Sequence, residues 1–202
     1  MGDAMRVFAR SEGILPVAQI EKRLKRDGLP AKIEVQSGTS PSWTQLLLKH
    51  RKGSEIALIE RKPVEDDEPG AEEIEKFRDE IGQYKPESAA RWLEDYLFQI
   101  QCIYVFQLLG GAAEEGGWDA VHAVQWEIWT TLGGILQADG EGFSNEDGYH
   151  ILWQFPEDVT GTLNMAVLDP ASRWIPFEMD LGDPEHRRAF LAGQVPEGAR
   201  RL

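Results

Sequence analysis

Two periodicities alternate along this chain, and neither runs far before Gly, Pro or Asp interrupts it. Val17, Ile20 and Leu24 recur at i, i+3 and i+7, the spacing of one helix face. Tyr149, Ile151, Trp153 and Phe155 recur every second residue, the spacing of one strand face, with His150, Leu152 and Gln154 pointing the other way. The longest apolar run, 100–111, is interrupted by Gln101 and Gln107 and falls short of the roughly 18 residues of a membrane span. Short helices mixed with short strands predict an α+β protein, with helices laid on mostly antiparallel sheets.

The elements follow from these periods and their breakers. A strand is predicted at 5–10 and a helix at 16–27, with Pro16 near its start and Gly28 past its end. Lys22, Arg23, Lys25 and Arg26 take that helix's other face; such a row can grip an anion, but a solvated face is its ordinary use. A strand at 31–36, a loop at 37–42 and a hairpin of 43–50 with 55–62 come next. Helices are predicted at 71–84, with Ile74, Phe77, Ile81 and Tyr84 buried, and from Pro86 to about Phe98.

The second part opens with a strand at 101–108, a flexible loop at 110–117 and an unusually apolar helix at 118–132. Trp118, Val121, Ile128, Trp129 and Leu132 share one face of that helix, and Ala123, Val124 and Trp126 widen it. Strands are expected at 135–138, 149–155, 162–168 and 174–179, the third pairing with the second across 156–161; 139–148 reads as turns. Asp183-Pro184 is a strong helix start, an Asp N-cap with Pro at the first helical position; that helix runs to about Ala192 before a loose tail.

The order of elements echoes itself. Phe8 matches Phe106, and the helix at Pro16 matches the one at Trp118. The strands at Trp43 and Glu55 match those at Tyr149 and Thr162, and the helix at Ala71 matches the one at Asp183. The echo is of elements rather than residues. It predicts two similar ferredoxin-like β-α-β-β-β-α halves, 1–99 and 100–202, with the helix at 86–98 as connector.

Charge is distributed unevenly. Residues 1–101 hold 16 Lys/Arg and 19 Asp/Glu; residues 102–202 hold 5 and 16, and the latter contain no Lys. A net charge of −14 repels phosphate backbones, which argues against nucleic-acid binding, and attracts basic proteins. One cysteine, Cys102, excludes an internal disulfide and reads as a buried thiol. Met1 to Arg6 lack the apolar core of a signal peptide, and Arg6 breaks the myristoylation pattern, so a cytoplasmic chain is expected, without a membrane anchor.

The chemistry-bearing residues form no known catalytic motif. The Gly-Gly pairs at 110–111 and 133–134 lack phosphate-loop spacing, and no G-x-S-x-G or H-E-x-x-H occurs. His50, His122, His150 and His186 are scattered, with no pair at metal-ligand spacing. Asp119 could orient His122 as a general base, and Asp139, Glu141, Glu146 and Asp147 could hold a hard cation. Glu178 and Asp180 would share a face as paired carboxylates, or simply form a solvated edge. Structural histidines and turn chemistry account for most of these positions equally well, so neither cofactor nor metal is expected.

The surplus of tryptophan is the remaining signal. The expectation is a non-catalytic binding protein whose acidic, aromatic C-terminal half docks a basic protein partner through Trp118, Trp126, Trp129, Asp139, Glu141, Glu146 and Asp147. An immunity- or antitoxin-type inhibitor has that profile of charge, size and compartment. The alternative is a small-molecule or metal-binding protein, or an enzyme, with Asp119, His122, Asp139, Glu141 and His150 between the halves. A structural homo-oligomer built through the 118–132 helix, such as a homodimer, is the third expectation.

Overall fold

The computed structural model describes residues 4–202; Met1, Gly2 and Asp3, part of the leader and acylation reading, lie outside the described residues. In chain order the elements are β1 (Ala4–Ala9), α1 (Val17–Arg26), β2 (Ala31–Thr39), β3 (Ser42–His50), β4 (Glu55–Pro63), α2 (Pro69–Ile81) and α3 (Glu87–Leu97). Then come β5 (Cys102–Leu108), a 3₁₀ turn (Gly110–Ala113), α4 (Gly117–Leu132), β6 (Ile135–Ala138), β7 (Gly142–Ser144) and β8 (His150–Trp153). β9 (Thr162–Leu168), β10 (Trp174–Asp180), α5 (Pro184–Leu191) and β11 (Arg200–Arg201) complete the chain. Helices and mostly antiparallel sheet put it in the α+β class, as the two periodicities require. Among the described residues no helix is long and apolar enough to cross a membrane.

Packing groups the chain into two compact units, neither of them contiguous. One comprises the chain up to Glu72 with Ile100–Gly134; the other comprises Glu73–Gln99 with Ile135–Leu202. In the first unit β5 is the organising strand. It runs antiparallel to β1, with Ala9 opposite Cys102, and on its other side to β4, with Pro63 opposite Cys102. β3 and β2 extend the sheet by antiparallel hairpins. Cys102 to Phe106 are all buried, which accounts for their continuous rather than alternating apolar character.

This placement differs from the expected two halves. β5 and α4 were the elements predicted to open a second ferredoxin-like half, and they pack instead with β1 to β4. A register in which β5 satisfies the backbone groups of both β1 and β4 outweighs proximity along the chain.

Two buried aromatics hold the β1–α1 connection of this unit. The Trp43 indole N–H donates to the Leu15 carbonyl at 2.8 Å, and the Tyr104 hydroxyl donates to the Gly13 carbonyl at 2.7 Å. Their rings lie 5.7 Å apart, so one aromatic pair pins both carbonyls of a loop that has no ladder of its own. α4 is framed by two left-handed glycines, Gly116 at φ 76° and Gly133 at φ 69°. Gly134 beyond it has φ 115°, and a Cβ there would lie 1.9 Å from the Phe8 carbonyl oxygen, so only glycine lets the chain leave α4 this close to β1.

In the second unit β6, β7 and β8 form an antiparallel run, and β9, β10 and β11 form another. β9 does not return on β8 as the expected hairpin. The two meet in parallel through a single pair, His150 with Met165. β7 was hidden by turn chemistry: within a stretch rich in Asp, Asn and Gly, Phe143 is fully buried and carries a three-residue strand. The predicted loop at 37–42 is the tip of the β2–β3 hairpin, with Thr39 opposite Ser42 and bulges around Ser37. The tail at 200–201 pairs with β10.

α5 begins as its sequence requires. The Asp183 carboxylate accepts the main-chain N–H of Glu185 at 2.8 Å and of His186 at 3.4 Å, with Pro184 at the first helical position. The core beneath it is Met165, Val167, Phe177, Met179, Leu181 and Phe190.

Candidate functional site

The candidate residues fall into two groups, one in each unit. The first lies on α4. Its buried set includes Ala120, Val124 and Ile128, spaced i, i+4 and i+8, with Val121, Gln125 and Trp129 alongside. The complementary i+4 row, Trp118, His122 and Trp126, is therefore left to solvent. Trp118 is 45% exposed and Trp126 50%, so Trp118 does not share the buried face that periodicity assigned it. Trp129 belongs to the core: it is 7% exposed and its indole N–H donates to the Gly134 carbonyl at 2.8 Å.

The exposed row is ordered by ring contacts. Trp118 stacks on His122 with centroids 5.6 Å apart, and Trp126 meets Trp129 edge to face at 5.2 Å. Asp119 does not orient His122. No hydrogen bond or ion pair engages its side chain among the described residues, and His122 faces Trp118 instead. A hollow of about 250 Å³ adjoins the row, with Arg23, Asp27, Asp119, His122 and Trp126 around it. Arg23 is spoken for, by Asp27 at 2.5 Å and by Glu127 at 3.5 Å.

The second group lies in the other unit, around the loop 139–147. Asp139, Glu141, Glu146 and Asp147 are all exposed. The loop is held from within by Asn145, whose side-chain oxygen accepts the N–H groups of Asp147 and Tyr149 at 3.1 and 3.0 Å. Glu146 accepts the Tyr96 hydroxyl at 2.8 Å, and Asp139 accepts the Gln137 amide at 3.2 Å. Among the described residues no group of three or more His, Cys, Asp or Glu side chains converges in a way that could hold a metal ion.

Glu141 and His150 do come together. They line a hollow of about 420 Å³ with Ser144, Thr162, Asn164 and Glu178. His150 is 5% exposed, and its Nε2–H donates to the main-chain carbonyl of Glu141 at 3.0 Å. Burial pushes its pKa down to about 4, so at neutral pH it is an uncharged imidazole tied to the backbone. The hollow's ionic character therefore comes from the carboxylates. Glu178 is bonded to Arg200 at 2.6 Å, whereas the Glu141 carboxylate has no ion-pair partner among the described residues. Ser144, Thr162 and Asn164 carried no sequence signal, because two separate strands, β7 and β9, bring them to this place.

The other singled-out residues are structural. Asp180 accepts the Gly182 N–H at 2.9 Å and shapes a turn rather than pairing with Glu178. His50 donates to the Gly111 carbonyl at 3.0 Å. Burial raises the Cys102 thiol to about 11, which leaves it protonated and unreactive at neutral pH.

Charge separates the units as well, though less sharply than it separates the two halves of the sequence. The unit with the acidic loop holds 9 Lys/Arg against 19 Asp/Glu; the other holds 12 against 16. Residues 92–172 contain 13 Asp/Glu and no Lys or Arg. In comparison with known proteins, the chain matches no family model, no curated protein and no solved structure.

Proposed function

We propose that this chain is a non-catalytic binding protein that docks a basic protein partner on the acidic surface around 139–147, in the manner of an immunity- or antitoxin-type inhibitor. The observation that carries this reading is the stretch 92–172, which holds 13 carboxylates and no Lys or Arg of its own. A field of one sign steers an oppositely charged partner and raises the encounter rate. The hollow beside the loop suits a Lys or Arg side chain. Glu141 supplies the charge, Ser144 and Asn164 supply acceptors, and the neutral His150 adds no opposing charge.

The test is affinity capture from the source cell, with the bound protein identified. We expect a protein of high isoelectric point, released by raised salt and bound about tenfold more weakly when Asp139→Asn, Glu141→Gln and Asp147→Asn are combined. Binding that ignores both salt and these substitutions would reject the reading.

A further inference from the structure

The face formed by α1 and α4 carries both signs of charge side by side. On α1, Lys22 and Arg26 are one turn apart and exposed, and with Arg23 and Glu127 they line a hollow of about 430 Å³. On α4, Trp126, His122 and Asp119 line the adjoining hollow, and Arg23 belongs to both. The cationic edge and the aromatic, acidic edge are therefore one continuous patch. The α4 edge has no cation of its own, since residues 100–134 contain no Lys or Arg. Glu115 and Asp119 are exposed there with no partner among the described residues, and Lys22 is equally unpaired on α1.

A patch of this kind is complementary to itself. In a two-fold interface, whatever residue i of one copy touches on its partner, the partner touches in return. Turning one copy over the other lays Lys22 and Arg26 against the partner copy's Glu115 and Asp119, twice. It also closes Trp118 and Trp126 away from water at the centre. Half-exposed tryptophans ringed by matched charges are the composition of an interface core and rim. A purely basic partner would meet Lys22, Lys25 and Arg26 on the α1 side, so a second copy of this chain fits the face better than the partner proposed for the acidic loop.

We infer that the chain forms a two-fold homodimer through α1 and α4, with Trp118 and Trp126 buried between the copies. This rests on a different unit from the acidic loop and stands or falls separately. Sedimentation equilibrium over a wide concentration range provides the readout, with circular dichroism confirming that each variant is folded. We expect wild type to pass from one chain to two as concentration rises, and Trp126→Ala to weaken that association at least tenfold. Lys22→Glu with Arg26→Glu, and separately Glu115→Lys with Asp119→Lys, should each remain monomeric, because both contacts become like-charged.

An equimolar mixture of the two charge-reversed variants should restore a one-to-one dimer, since each contact again pairs opposite signs. A wild type that stays monomeric throughout, a dimer indifferent to both reversals, or a mixture that fails to associate would each overturn the inference.

Discussion

His150 shows what a single buried side chain adds to this protein's behaviour. Its pKa of about 4 in the folded chain compares with about 6.5 for an unperturbed imidazole. Between those values the unfolded chain binds a proton that the folded chain refuses, so acid favours unfolding. The contribution is complete above about pH 6.5 and is lost as the pH falls toward 4. Urea denaturation should therefore give about 2 kcal/mol less stability at pH 5 than at pH 7 from this residue. His150→Gln should remove most of that difference, and an undiminished pH dependence in the variant would exonerate the imidazole. The exposed carboxylates Asp27, Glu34 and Glu87 act in a more acid window. Hydrogen bonds from Arg23, Lys32 and Lys85 hold them below their ordinary values, so their contribution fades only below about pH 4. The alternation from Tyr149 to Phe155 placed His150 on a strand. Nothing in the sequence showed that both faces of that strand are covered, because α3, far earlier in the chain, contributes to the cover.

At the scale of the element, α4 separates what sequence reading delivers from what it does not. Its length and its glycine ends were legible, and so was its excess of apolar residues. The side that would be buried was not, because a helix apolar nearly all round offers no polar face to orient it. Small residues decided the question: Ala120 and Ala123 on the buried side allow close packing, which two indoles in their place would prevent. Trp129 and Trp118 should therefore respond very differently to truncation. Trp129→Ala empties a filled site and orphans the Gly134 carbonyl, so it should cost about 3–5 kcal/mol in denaturant titration. Trp118→Ala, measured at a concentration low enough to keep the chain monomeric, should cost less than about 1 kcal/mol. Equal losses would mean that the exposed row is structural. The short β7 and the parallel meeting of β8 and β9 were illegible for a related reason. Local turn chemistry dominates 139–148 and 156–161, and pairing partners are chosen by the sheet as a whole.

For the whole molecule, the consequential feature is that the chain passes from one unit to the other at 72–73, 99–100 and 134–135. The element echo places a boundary after 99, which coincides with one of those crossings. It does not follow that 1–99 is self-sufficient, because the two sides of a crossing depend on later sequence. β5 lies between β1 and β4 and pairs with six residues of the first and seven of the second. Removing it would leave two interior edges unpaired and expose Phe8, Ile56 and Ile59, all fully buried in the intact chain. A fragment of 1–99 is accordingly expected to be unfolded or aggregated, with far-ultraviolet dichroism of a disordered chain. A fragment of 1–134 retains every strand of the first unit together with α1 and α4, and it should give cooperative unfolding and dispersed amide resonances. The comparison is decisive because the two fragments differ only by β5, the 3₁₀ turn and α4 with their connections. A cooperatively folded 1–99 would show that the first five elements and their two following helices form a core of their own, and that β5 is an addition to this fold rather than its organising strand.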